Sequence, residues 1–254
     1  MSLARLSRAA ILGALALLLV AVAGAGGALV RVNGIVLHAD GGFQPQSLPR
    51  HRFVPIDFQG YFEIAAQDGG QPVALEQAVI DFDRDGRLST GGLPICAPEQ
   101  VANASPAEAR QTCAGAIVGR GGLGVSIGFL GGSFPVSSPL TLFNGPPVDG
   151  QPTVVLHAQI AALVTQTVAI VVPIERRRGP FHYRATLDFP PIAGGFGAIT
   201  KVKVKVGRRF VAAGRKRSYV SAHCADGVLQ THGRFTFVDG TIVDGVVERA
   251  CTPR

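Results

Sequence analysis

From Gly26 onward the chain alternates apolar and polar residues over short stretches separated by turn-forming dipeptides. Phe181, Tyr183, Ala185, Leu187 and Phe189 alternate with His182, Arg184, Thr186 and Asp188, and Val202, Val204 and Val206 alternate with Lys201, Lys203 and Lys205. A period of two puts one set of side chains on each face of an extended strand, so both stretches read as half-buried β-strands. Further strands are predicted at 30–37, 53–64, 78–83, 116–118, 153–160, 167–174, 217–224, 227–231, 234–238 and 241–249. Asn33-Gly34, Asp40-Gly41, Asp68-Gly69, Asp85-Gly86, Asn144-Gly145, Asp149-Gly150, Asp226-Gly227, Asp239-Gly240 and Asp244-Gly245 supply turn signals, because Asn, Asp and Gly tolerate positive φ. About a dozen short strands with such turns predict an all-β fold, an antiparallel β-sandwich or jelly-roll-like domain. One short helix is predicted near residues 105–113, with Ser105 as cap, Pro106 at the first helical position and Glu108 completing the capping box. Residues 41–49 read as a loop.

The N-terminus departs from this pattern. Arg5 and Arg8 precede an unbroken apolar run from Ile11 to Val22, followed by the small-x-small triplets Ala21-Val22-Ala23 and Ala23-Gly24-Ala25. That order is the layout of a secretory signal peptide over residues 1–25, leaving 26–254 as one β-rich secreted domain. An uncleaved membrane anchor is the alternative, since residues 9–30 carry no charge, but the strongly apolar part is short for a bilayer span. Export in turn changes the reading of the four cysteines, which are expected to oxidise outside the cytosol. Three pairings are open. Cys96 with Cys113 and Cys224 with Cys251 is favoured because each pair brackets a short local excursion, and closing such loops stabilises by about 3 kcal/mol each. Zinc is disfavoured, because there is no paired CxxC and no histidine at finger spacing.

The run Ile80-Asp81-Phe82-Asp83-Arg84-Asp85-Gly86-Arg87-Leu88-Ser89-Thr90, then Gly92-Leu93-Pro94 and Cys96, resembles exported proteins of high-GC soil actinobacteria. So do Leu140-Thr141-Leu142-Phe143-Asn144-Gly145, Pro190-Pro191-Ile192-Ala193-Gly194-Gly195, Ser218-Tyr219-Val220 leading to Cys224, and Gly233-Arg234-Phe235-Thr236-Phe237 with Asp239-Gly240 before Cys251. The resemblance covers most of the chain after the signal segment. It implies export and a four-cysteine framework, and it carries no activity and no functional residues.

Candidate chemistry is sparse. Asp81, Asp83 and Asp85 before Gly86 spell the first half of a calcium loop, in which alternating carboxylates converge on a hard cation. Gly92 stands where a closing Glu belongs, so the plainer reading is a hairpin tip with Ile80 and Phe82 inward and the acids in water. Gly124-Val125-Ser126-Ile127-Gly128 matches a nucleophile elbow in spelling, and Gly119-Arg120-Gly121-Gly122-Leu123-Gly124 a dinucleotide fingerprint, but no helix follows either. Six histidines, His38, His51, His157, His182, His223 and His232, are scattered singly. Asp57, Glu63 and Asp188 are the carboxylates on hand for a glycosidase pair, and nothing in their spacing selects them.

Charge is the stronger signal. Residues 26–173 hold 7 basic and 11 acidic residues, whereas 174–254 hold 15 basic and 6 acidic. Arg176, Arg177, Arg178, Lys201, Lys203, Lys205, Arg208, Arg209, Arg215, Lys216 and Arg217 form the expected polyanion-binding set, with Arg184 nearby and Asp188 the one acid among them. An anionic cell-wall polymer or lipid headgroups suit an exported chain better than nucleic acid. The plainer alternative is that the lysines guard an edge strand against aggregation. The sequence thus points to a secreted, non-enzymatic envelope protein with no cofactor other than calcium as a candidate. An extracellular hydrolase with a spatially assembled site and a calcium-stabilised adhesive module are the alternatives.

Overall fold

The computed structural model describes residues 27–162 and 165–254; the expected signal segment lies outside them. The elements in chain order are β1 (Ala28–Val32), β2 (Ile35–Gln44), β3 (Ser47–Leu48), β4 (Val54–Pro55), β5 (Asp57–Ala66), β6 (Leu75–Asp83), β7 (Gly86–Leu88), α1 (Pro106–Thr112), β8 (Ile117–Phe129), β9 (Gly132–Val148), β10 (Gln151–Ala161), β11 (Thr165–Arg176), β12 (Phe181–Asp188), β13 (Gly197–Val206), β14 (Arg209–Ala212), β15 (Arg215–Ser218), β16 (Val220–Ala222), β17 (Val228–Phe237), β18 (Ile242–Ala250) and β19 (Thr252–Pro253). The all-β class holds, and the helix begins as its sequence dictates: Ser105 Oγ accepts from the Glu108 amide while the Glu108 carboxylate accepts from the Ser105 amide.

Twelve strands form one antiparallel sheet in the order β1-β2-β5-β13-β8-β9-β10-β11-β12-β6-β17-β18. The sheet curls until its edges, β18 and β1, lie side by side: a Cβ on Gly245 would stand 3.9 Å from the Ala28 methyl. No backbone ladder joins these edges. Arg249 closes the seam instead, donating from Nε to the Gly41 carbonyl at 2.6 Å and pairing with Asp40. Across the interior Phe58 meets Phe82 and Phe62 meets Phe235 edge to face, at 5.6 and 5.2 Å between ring centres. The closed sheet is therefore a flattened barrel, with the β5 wall packed on the wall of β6 and β17.

The strand alternation sets which face is inside. Val202, Val204 and Val206 point inward and Lys201, Lys203 and Lys205 outward, and the inward residues of β6, β12, β17 and β18 follow the same rule. One end of the barrel is covered by the small sheet β4-β16-β7. The chain from Thr90 to Ala116 folds over the outer face of β9 and β10, where Cys96, Val101, Ala109 and Cys113 pack on Phe143 and Val155. His157, fully buried beneath it, donates from Nε2 to the Ala104 carbonyl at 3.0 Å. Both expected disulfides form, Cys96 to Cys113 within this cover and Cys224 to Cys251 beside the small sheet.

Several expectations are corrected. Residues 41–49 are not a loop, because β2 runs to Gln44 and β3 follows. The predicted strand 30–37 is split by the Asn33-Gly34 turn. Asp40-Gly41, Asn144-Gly145 and Asp244-Gly245 lie inside strands, where hydrogen bonding along the ladder overrides local turn preference. The longest hairpin, β8 with β9, was largely invisible because Gly, Ser and Pro fill it. Glycine is required at Gly121, where a Cβ would overlap the Lys203 carbonyl of the neighbouring strand.

Candidate functional site

The inward side chains do not fill the barrel. They leave a cavity of about 330 Å³, with a smaller space of about 50 Å³ toward the opposite end near Leu156, Ile160 and Phe189. The larger volume lies in the range of small-molecule sites. Its wall is overwhelmingly apolar, with Leu37 and Phe62 on one side, Phe82, Ala185 and Phe235 on the other, and the β7 and β16 residues Leu88 and Val220 at the covered end. Part of the space exists because an inward position is small: Gly60 lines it directly opposite Val204.

Into this wall the chain places Tyr219. It is 1% exposed, and its hydroxyl has no hydrogen-bond partner. The backbone around it is held rigidly. Its amide donates to the Arg208 carbonyl, its carbonyl accepts from the Ser89 amide, and the preceding Ser218 hydroxyl donates to the Val220 carbonyl at 2.6 Å. Burial drives the phenol pKa upward, so the group stays a neutral O–H able to donate and accept. An apolar cavity of this size is chemically suited to hold a hydrocarbon body.

The outer face carries a second concentration of polar groups. Arg184, Asp81 and His232 stand in one cross-strand row over β12, β6 and β17, with Asp244 diagonally on β18. Arg184 grips Asp81 with two bonds of 2.7 and 2.8 Å, and His232 lies between Asp81 at 3.1 Å and Asp244 at 2.7 Å. Arg234 completes the row at 2.8 Å from Asp244. The Arg184 guanidinium, with help from His232, holds the Asp81 carboxyl below its usual range. Burial pushes Asp244 the other way, but Arg234 and His232 outweigh it and lower its pKa as well. Every member is hydrogen-bonded to a neighbour in the row, which so joins four strands.

The three aspartates of the calcium-loop reading are likewise engaged by protein donors. Asp83 accepts the Asp85 and Gln230 amides, each at 2.8 Å, and Asp85 accepts the Ala225 amide at 2.7 Å. Asp81 and Asp85 are each 3% exposed rather than facing water, and Asp85-Gly86 is no hairpin, because β7 pairs with β16 and not with β6. Among the described residues no group of three His, Cys, Asp or Glu is arranged to hold a metal ion. Ser126 sits mid-strand in β8, opposite Ala198 and Pro135, while His157 and His232 hydrogen-bond elsewhere and His223 lies 3.4 Å from Asp85. Asp57, Glu63 and Asp188 are dispersed in contacts with Arg209, Lys201 and Gln77 respectively. Glu63 also accepts the Tyr61 hydroxyl, which lifts that phenol to about 12.

The basic residues are only partly brought together. Lys201, Lys203 and Lys205 do share an exposed face, but β13 lies between β5 and β8, so they guard no edge. Lys201 is 3.8 Å from Glu63 and Lys205 is 3.7 Å from Asp57, which neutralises two of the three. Arg209, Arg215, Lys216 and Arg217 belong to the β14-β15 hairpin just beyond the end of β13, and Arg208 precedes it. Arg176, Arg177 and Arg178 lie at the β11-β12 turn, four strands further round the barrel. The cavity and Tyr219 were missed from sequence; the outward lysines marked the inward valines, but an alternating pattern does not report how wide a barrel closes. No protein-family model, curated protein or solved structure matches the chain.

Proposed function

We propose that this is an exported, non-enzymatic binding protein that holds a small, mainly apolar molecule inside the barrel, with Tyr219 as its polar contact. The observation that carries this reading is the apolar cavity of about 330 Å³, bordered by Tyr219, whose buried hydroxyl has no partner. A buried hydroxyl left without a partner costs about 1–3 kcal/mol, and a ligand carboxylate, carbonyl or hydroxyl accepting from it offsets that cost. The ligand class is an acyl chain or fused apolar ring system with a terminal oxygen. Export by residues 1–25 belongs to the proposal and is supported by the two disulfides, which persist in oxidising compartments. Among the described residues no helix is long and apolar enough to cross a membrane.

The test is titration with a fluorescent fatty acid, followed by displacement with unlabelled amphiphiles. Saturable one-to-one binding is expected. Ala185→Trp, which fills the cavity and adds a reporter to a chain that has no Trp, should abolish uptake while the protein stays folded. Tyr219→Phe should weaken an oxygen-bearing ligand about tenfold and leave a plain hydrocarbon unaffected. Absence of saturable uptake by the unaltered protein ends this reading.

A second reading keeps the outward face of β13 as a site for an anionic cell-wall polymer, favoured by Lys203, which is exposed at the centre of the row. Co-sedimentation with wall material across a salt series, with and without calcium, compares the protein with its Lys201, Lys203 and Lys205 to Gln variant. Unchanged retention removes that face from the mechanism.

A further inference from the structure

The β14-β15 hairpin has an unusual distribution of side chains. Its two strands are joined by Ala213 and Gly214, both at positive φ, in a tight two-residue turn. The tip residues Val211, Ala212, Ala213 and Gly214 are all apolar or small, and Val211 is 66% exposed. Flanking them on the chain are Arg208 and Arg209 on one side and Arg215, Lys216 and Arg217 on the other. Lys216 stands directly across from Val211, and Arg215, Lys216 and Arg217 are exposed. The base is fixed, because Arg209 Nη1 reaches the Ile56 carbonyl at 3.1 Å and both Asp57 and Ser218 at 3.2 Å. Immediately after the hairpin comes Tyr219.

The covered end of the barrel beside this hairpin repeats the combination. Arg50 and Arg52 are exposed next to Phe53, itself 37% exposed, and the Arg87 guanidinium lies 5.6 Å from the Phe53 ring centre. Arg87 and its neighbour Leu88 line the cavity from the same short strand, β7. A soluble polyanion would be met by cations alone. Apolar tips set among cations match a surface with anionic groups at its boundary and hydrocarbon beneath, where long basic side chains reach back to the headgroups.

We propose that the β14-β15 hairpin docks this end of the barrel on an anionic lipid bilayer, and that the bilayer is the source of the apolar molecule held in the cavity. The second half rests on the cavity-binding reading; the docking does not. Val211 enters the acyl boundary, Arg215, Lys216 and Arg217 take the headgroups, and the covered end carrying Phe53 and Arg87 comes to the interface.

The experiment is co-sedimentation of the purified protein with phosphatidylcholine vesicles containing or lacking phosphatidylglycerol. Binding is expected with phosphatidylglycerol vesicles only, falling as salt rises. Val211→Asp, and separately the Arg215, Lys216 and Arg217 to Gln triple variant, should each reduce binding at least tenfold, whereas Leu130→Asp at the opposite end should not. Vesicle binding that survives both hairpin variants overturns the proposal, as does absence of vesicle binding. Equal retention of the unaltered and Val211→Asp proteins on soluble polyphosphate, with no vesicle binding, would assign the hairpin to a polyanion instead. Uptake of a fluorescent fatty acid from dilute solution is measured in parallel. If Val211→Asp keeps that uptake but loses transfer from vesicles, docking and cavity are separate and both stand. If vesicles bind and solution uptake is absent, the cavity reading fails alone.

Discussion

At one end of the barrel the strands are joined by long connections that carry both disulfides and most of the loop cations, among them Arg50, Arg52, Arg84, Arg87 and the β14-β15 cluster. At the other end the connections contain Asp68 and Asp239 and no Lys or Arg, and their exposed tips, Leu130 and Phe196, are apolar without charged neighbours in sequence. The same closed sheet therefore ends in two different chemistries. The strands fix where the connections emerge, and the connections are free to differ because they lie outside the ladder. Tyr219 and the small sheet belong to the basic end, so the polar contact proposed for the cavity lies at the end that carries the cations.

The largest effect expected from breaking this contrast comes from the disulfides. Replacing Cys224 and Cys251 by Ser should cost about 3 kcal/mol in denaturant unfolding. It should also reduce fatty-acid uptake, because Cys224 is two residues beyond β16, which lines the cavity. Replacing Cys96 and Cys113 should cost a similar amount of stability yet spare uptake, since that bridge lies within the outer cover. Equal loss of uptake in both variants would mean that the cover and the cavity are not independent.

A smaller effect separates the cover from the outer charge row by pH. Burial holds the His157 imidazole below its ordinary 6.5, so it is neutral in the fold while the unfolded chain takes up a proton. Its contribution is complete above about 6.5 and is lost as pH falls below it. Asp81 and Asp244 are held below their ordinary 3.8, so theirs is complete above that value and lost as pH falls through the lowered pKa values. A melting-temperature series should show two acid limbs. His157→Gln should remove the upper limb and Asp81→Asn should shrink the lower one; a single limb unchanged by both variants would contradict these assignments.

The smallest effect is expected at the uncharged end. Leu130 is 89% exposed at a hairpin tip, so Leu130→Ser should change stability by no more than about 0.5 kcal/mol. A larger loss in thermal unfolding would show that this end packs against something.

Legibility followed the range of the interaction. The helix start at Ser105 and the strands β10, β11, β12 and β18 could be read because each is set by a local pattern of two to four residues. The β8-β9 hairpin could not, since its glycines answer to the Lys203 and Lys205 carbonyls on a distant strand and not to their sequence neighbours. Both disulfides were anticipated because their partners are 17 and 27 residues apart, close enough for loop closure to favour them. The basic residues were visible as a run, but their division between a ladder-bound face, a projecting hairpin and a turn four strands away was not.

The alternation of β13 determined by itself that valines and lysines would part to opposite faces, and the cysteine spacing determined the staples. Only the closing of twelve strands decided that those valines would look into an open cavity, and that Tyr219 would be buried against its wall with its hydroxyl unpartnered. Side-chain direction is set residue by residue, whereas the volume enclosed depends on how many strands close the sheet and how they tilt, a property of the assembled whole.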